Sequence, residues 1–183
     1  VKPAGPDCNL ACTYCFYRPK LELYPDTRMH RMTDPLLQEF IRQYMGLGGQ
    51  QVSFGWQGGE PTLMGLDFFK KIVQYQKQFG RPVQVVSNGL QTNGVLITAE
   101  WCSFLKEYKF LVGLSIDGPA EVHDGFRVYL SGRKTHADVV AAHDRLQAGG
   151  VDFNALCMVT PLNVNRPDDV WNFLAGDMQF EYM

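Results

Sequence analysis

The chain has no apolar stretch approaching the roughly 20 residues that a membrane-spanning helix needs. It also has no run of lysine and arginine, and its formal net charge is only −2. Neither nucleic acid nor an anionic membrane surface is therefore expected as a partner. Internal repeats and low-complexity segments are lacking too. Cysteine is scarce, five in all, and three of the five are crowded between positions 8 and 15. That distribution excludes the disulfide framework of a small secreted domain and points to a reducing, cytoplasmic compartment.

What remains is ordinary globular material. Hydrophobic residues make up 45% and charged residues 20% of 183, enough for one domain, 1–183, with a substantial core. The first residues, Val1-Lys2-Pro3, read as the tail of a strand, and an apolar-aromatic run has only begun by Met183. The sequence is therefore expected to be a fragment of a longer protein.

Hydrophobic spacing predicts an alternation of strands and helices. Leu36, Phe40, Ile41 and Tyr44 form a helical stripe behind Thr33 and Pro35. Helices are likewise expected around Leu66–Gln76, Trp101–Tyr108 and Val139–Leu146, with a short one over Asp168–Leu174. Strands are expected at Val52–Trp56, Val83–Ser87, Phe110–Ile116 and Phe153–Val159, and a further one beginning at Met178–Tyr182. Asn88–Gly94 reads as a turn-rich loop. Strand, loop and helix repeated about five times without a hairpin signal means a parallel sheet built of right-handed βαβ units. The expected class is α/β, a partial (β/α)6 TIM-like barrel truncated at about its last strand. In such a barrel the loops after the strands share one rim, which carries the chemistry.

The unusual residues fall in those loops. Cys8, Cys12 and Cys15 stand at C-x3-C-x2-C spacing, and three soft thiolates suit either an iron–sulfur cluster or zinc. A closed structural zinc site wants four ligands and a cubane one per iron, so one coordination position is left for something else. A zinc knuckle completed by a distant residue is the competing reading, but neither His30 nor His123 has ligand-like spacing to the trio. Gly58-Gly59-Glu60-Pro61 pairs two glycines, which would let a ligand approach the backbone, with a carboxylate suited to an amine. Cys102 and Cys157 are expected to be small buried hydrophobes, one in a helix and one in a strand. Asp117, ahead of Gly118-Pro119, is expected chiefly to shape a turn.

In their order along the chain these pieces resemble the radical S-adenosylmethionine (SAM) superfamily, and within it the anaerobic sulfatase-maturating enzymes. The matching strings are Lys2-Pro3-Ala4-Gly5-Pro6-Asp7-Cys8, Cys12-Thr13-Tyr14-Cys15-Phe16-Tyr17 and Trp56-Gln57-Gly58-Gly59-Glu60-Pro61-Thr62. Leu90-Gln91-Thr92-Asn93-Gly94, Gly113-Leu114-Ser115-Ile116-Asp117-Gly118-Pro119 and His123-Asp124-Gly125-Phe126-Arg127 complete the set. The resemblance implies a 4Fe-4S cluster on Cys8, Cys12 and Cys15, its fourth iron chelated by the amine and carboxylate of SAM. It places Tyr14 beside the adenine, Gly59 and Glu60 at the methionyl amine, Ser115 on SAM polar groups and Arg127 on the SAM carboxylate. Tyr17, Gln57, Gln91 and Asn93 become candidates for touching a peptide.

The implied activity is reductive cleavage of SAM to a 5′-deoxyadenosyl radical, which takes a β-hydrogen from a cysteine or serine of a sulfatase to give Cα-formylglycine. Implied partners are the sulfatase polypeptide and an external one-electron donor of the flavodoxin or ferredoxin type. No residue here can be named as the catalytic base, which the family carries in a C-terminal half with two auxiliary clusters. Another radical SAM peptide maturase, or a non-enzymatic iron–sulfur or metal-binding domain, are the alternatives. Gly89 departs from the family, which tends to have a bulkier residue there.

Overall fold

The computed structural model describes residues 1–27 and 29–183. Four parallel strands form one open sheet in the order β1-β2-β3-β4: Gln51–Trp56, Val85–Thr92, Phe110–Ser115 and Phe153–Leu156. Helices α1 (Asp34–Leu47), α2 (Leu66–Phe79) and α3 (Ala99–Glu107) precede or link them. Beyond β3 come a short α4 (Ala120–His123), α5 (His136–Ala148) and, after β4, α6 (Pro167–Trp171). The parallel α/β class read from the sequence is what the structure has, and the sheet is not closed.

Alternation along the strands makes one face of the sheet. In β1, Val52, Phe54 and Trp56 are buried while Gln51, Ser53 and Gly55 are not. The buried set meets the apolar stripe of α1, where Leu37, Ile41 and Met45 are fully enclosed. Each such side chain contributes about 1.5–3 kcal/mol relative to exposure, so this helix–sheet layer is the main source of stability. The other face is open. Glycines 55, 89 and 113 keep it shallow, and Leu111 and Leu156 are exposed on it.

Several expectations shift. Residues 88–92 are strand, not loop. Asn88 is buried, accepts from Trp56 Nε1 at 3.0 Å and exchanges two hydrogen bonds with Gln76 of α2. Packing from both sides thus overrides the turn preference of Asn-Gly. Met178–Tyr182 is not a strand. Phe180 plugs the space between His143 and Phe153, with ring centroids 4.9 and 5.4 Å away, and a single ladder-like bond runs from Ala155 N to Tyr182 O. Val1 forms no assigned strand, yet its carbonyl accepts from Gln57 N at 2.9 Å, so the chain does enter beside β1. β4 stops at Leu156, which leaves Cys157 outside it.

Candidate functional site

The loops after the strands do share one rim, and a cleft of about 360 Å³ lies among them. Cys8, Cys12 and Cys15 line it together with Tyr14 and Tyr17 from the same loop. Gln57, Gly59 and Glu60 enter after β1, Gln91 and Asn93 at the end of β2, and Ser115 and Arg127 from β3 and the segment beyond α4. Every residue singled out in the sequence for cofactor or substrate therefore meets in one place. Leu156, Cys157 and Met158, which lie outside every motif quoted above, line it as well.

The cysteine loop is held on two sides by backbone. Ala11 N donates to Val128 O at 2.7 Å and Thr13 N to Phe126 O at 3.0 Å. Opposite, Gly59 N donates to Gly5 O at 2.9 Å and Glu60 N to Asp7 O at 2.7 Å. This contact explains both glycines. Gly58 sits at φ +123°, in a region side chains avoid, and a Cβ on Gly59 would overlap the Asp7 carbonyl. The glycines are thus required first by the approach of the cysteine loop. Asp7 is itself clamped by His30 N, His30 Nδ1 and Arg31 Nη1, at 2.7, 2.8 and 2.6 Å.

Glu60 is 1% exposed. Its Oε1 accepts from Thr62 N, Thr62 Oγ1 and Thr92 Oγ1, and its Oε2 from Asn93 N, all within 2.9 Å. Burial pushes this carboxyl up, against four hydrogen bonds that favour the charged form. Oε2, with one partner, is the oxygen with capacity for a ligand. Asn93 is committed to the cysteine loop: Nδ2 donates to Asn9 Oδ1 at 2.8 Å and lies 3.8 Å from Cys8 Sγ, while Oδ1 accepts from Val95 N. That arrangement supports the cysteine loop from the cleft wall.

Asp117 is the largest addition. It is fully buried, and it does not merely shape a turn. Its carboxylate accepts from Tyr14 Oη at 2.6 Å, Arg127 Nε at 2.8 Å, Arg127 Nη2 at 3.1 Å and Met158 N at 3.0 Å. Burial works to raise its pKa, but the Arg127 guanidinium and the Tyr14 hydroxyl outweigh it and hold the carboxyl below the usual range. The Arg127 fork expected for a ligand carboxylate is therefore taken by Asp117, and Nη1 makes no hydrogen bond among the described residues. Only the acidic residue of the Ser115-Ile116-Asp117 string could have signalled this, because its partners are remote in sequence.

His123 buttresses the same corner. Its Nδ1 accepts from Asp117 N at 3.3 Å, and its Nε2 faces Thr135 Oγ1 at 3.1 Å, whose hydroxyl donates to Arg127 O. The backbone donor fixes Nδ1 as unprotonated. Burial, then the nearby Arg127 charge, lowers the pKa to about 4. A proton is therefore taken up by the unfolded chain first, near pH 6.5. Stability is expected to fall as pH drops from about 6.5 to 4, by up to about 1.4 kcal/mol per pH unit. Urea unfolding across that range should show the slope in the native chain and a shallower one in His123→Gln. Equal slopes would refute the assignment.

Cys8, Cys12 and Cys15 are soft sulfur donors of the kind a 4Fe-4S cluster takes. Burial pushes the Cys8 thiol up to about 12, and all three cysteines line the same cleft. Yet among the described residues no three of His, Cys, Asp and Glu converge closely enough to hold one metal ion. Leu10 N also points at Cys8 Sγ at 3.4 Å, an amide–sulfur contact of the sort that tunes such clusters. Cys157, by contrast, is half-buried on the cleft wall, its thiol pushed up to about 11 by burial and by Asp117.

Comparison with known proteins agrees with this geometry. The family described as the radical SAM superfamily matches residues 3–174. The chain is 42% identical over 174 residues to a serine-type anaerobic sulfatase-maturating enzyme of Bacteroides thetaiotaomicron, covering 94% of this chain and 42% of that protein. It is 39% identical over 173 residues to a cysteine-type enzyme of the same description from Clostridium perfringens, covering 94% and 47%. A solved structure described as native anSMEcpe with bound AdoMet and Kp18Cys peptide superposes with a TM-score of 0.91 at 37% identity, covering 99% of this chain and 48% of that one. The chain thus spans less than half the length of these relatives. With the three thiols, the glycine turn and the strand-end residues gathered on one cleft, and the match running through nearly the whole sequence, this chain belongs to the radical SAM superfamily.

Proposed function

We propose that this chain is the SAM-cleaving core of an anaerobic sulfatase-maturating enzyme. The observation that carries the reading is the meeting of Cys8, Cys12 and Cys15 with Gly59, Glu60, Ser115 and Arg127 on one cleft. Cys8, Cys12 and Cys15 would hold a 4Fe-4S cluster. Bound there, the cluster and SAM would together supply one-electron reductive cleavage of the sulfonium to a 5′-deoxyadenosyl radical.

This chain's own residues bind, orient and exclude water. Glu60 Oε2 offers a buried acceptor to the methionyl amine, and the Arg127 Nη1 donors offer charge-assisted bonds to its carboxylate. Tyr14, held by Asp117 and packed on Phe126 at 5.6 Å, would flank the adenine. Tyr17 and Gln57 would face the peptide. Tyr17 is half-buried with Lys2 and Lys20 ammonium groups each 5.1 Å from its ring, and the Gln57 side chain is exposed. The substrate would be a cysteine or serine of a sulfatase segment, converted to Cα-formylglycine, with electrons from an external donor of the flavodoxin or ferredoxin type. No helix among the described residues is long and apolar enough to cross a membrane.

The test uses the full-length protein of which this chain is the proposed core, reconstituted anaerobically with iron and sulfide, then given SAM, a reductant and a sulfatase-derived peptide. The expected products are 5′-deoxyadenosine and a peptide carrying an aldehyde, read by mass spectrometry. A cluster that forms but never yields 5′-deoxyadenosine refutes the enzyme reading. Release of 5′-deoxyadenosine with cysteine and serine peptides both unchanged refutes the sulfatase assignment and favours another peptide maturase.

A further inference from the structure

On the open face of the sheet, Gln91 of β2 is the register partner of Gly113 of β3. Its side chain crosses Gly113, and Nε2 donates to Ser115 Oγ at 2.9 Å. A Cβ on Gly113 would collide with Gln91 Oε1 and stand 2.9 Å from Leu156 Cδ1. Gly113 has no positive φ, so its backbone does not call for glycine. What a methyl group would displace is the ends of two flexible side chains, both on the cleft wall. The glycine is a seat for the Gln91 carboxamide.

A serine hydroxyl has one hydrogen to give and two lone pairs to receive. By accepting from Gln91, Ser115 keeps its hydrogen for another partner. If the carboxamide presented oxygen instead, Ser115 would donate to it and could offer a ligand only lone pairs. We propose that Gln91, seated on Gly113, is a positioning residue that fixes Ser115 as a hydrogen-bond donor into the cleft, selecting an acceptor oxygen of SAM. The proposal rests on the reading above that Ser115 touches SAM.

The experiment measures SAM affinity by equilibrium dialysis, and the electron paramagnetic resonance of the reduced cluster with and without SAM, on the full reconstituted chain. Ser115→Ala is expected to weaken SAM binding about tenfold, the share of one hydrogen bond to a charged group. Gln91→Glu, which nearly keeps shape but offers only acceptors when ionised, should weaken it about as much. So should Gly113→Ala, which displaces the carboxamide while cluster content and thermal midpoint stay at native values. In Gln91→Glu/Ser115→Ala the loss should not exceed that of Ser115→Ala alone, since both act through one hydroxyl. Native affinity in Gln91→Glu or Gly113→Ala, or additive losses in the double variant, would overturn the positioning role while leaving the Ser115 contact standing. Native affinity in Ser115→Ala would remove that contact, and the proposal with it.

Discussion

Cys12→Ala, reconstituted in the full chain with iron and sulfide, is expected to lose the cluster's visible absorption and its bound iron, whereas Cys102→Ala keeps both. Only Cys8 and Cys15 remain at the loop of the first variant, and two thiolates do not hold a cubane on a protein. Cys102 lies in α3, 3% exposed and facing the core, so its loss should open a void costing about 1 kcal/mol and leave the cleft untouched. Cys157→Ser is the more searching control, because its sulfur lines the same cleft as the trio. It should retain iron. Iron lost from Cys157→Ser and kept in Cys12→Ala would mean that the ligand set has been misassigned.

Asp117→Asn should have the largest effect on folding. Arg127 is 9% exposed and Asp117 is wholly enclosed, so neither can turn to water. A carboxamide keeps one acceptor oxygen where four donors now converge, and it presents an N–H to a cation. Removing one partner of a buried pair leaves a charge without compensation, at a cost of about 3–5 kcal/mol. Against a typical total of about 5–15 kcal/mol, that is enough to leave much of the chain unfolded. Denaturant unfolding measures it, and a loss below about 1 kcal/mol would place the pair with ordinary surface ion pairs. Replacing both partners, Asp117→Leu with Arg127→Met, should recover much of the stability, since hydrophobic substitutes of similar volume often match a buried pair. The recovered protein should still bind SAM poorly, which separates what the pair does for the fold from what it does for the ligand.

The parallel α/β order was legible because each helix carries its own stripe and local spacing suffices to place it. Leu37, Ile41 and Met45 are the fully buried side of α1, one step round from the stripe read in the sequence, where Leu36 and Tyr44 turn out exposed. The site was legible wherever a motif is contiguous, as with the cysteines and the paired glycines. It was not legible where a side chain's partners come from far along the chain. Tyr14 and Asp117 are 103 positions apart, and Met158 N reaches Asp117 across 41. Asn88 and Gln91 misled for a related reason. Asn-Gly reads as a turn in isolation, but the strand is fixed by Trp56, Gln76 and Ser115, none of them nearby in sequence.

The backbone bonds from Gly59 and Glu60 to the carbonyls of Gly5 and Asp7 bear on the engineering of chimeras. Residues 2–17 and 57–60 are cast against each other with no side chain between them at Gly59, so neither segment tolerates a foreign counterpart. A graft that imports the sulfur-bearing loop alone from a relative would inherit a mismatched bed. The transplantable module is the two segments together, although some forty residues, α1 and β1 among them, intervene between them in the sequence.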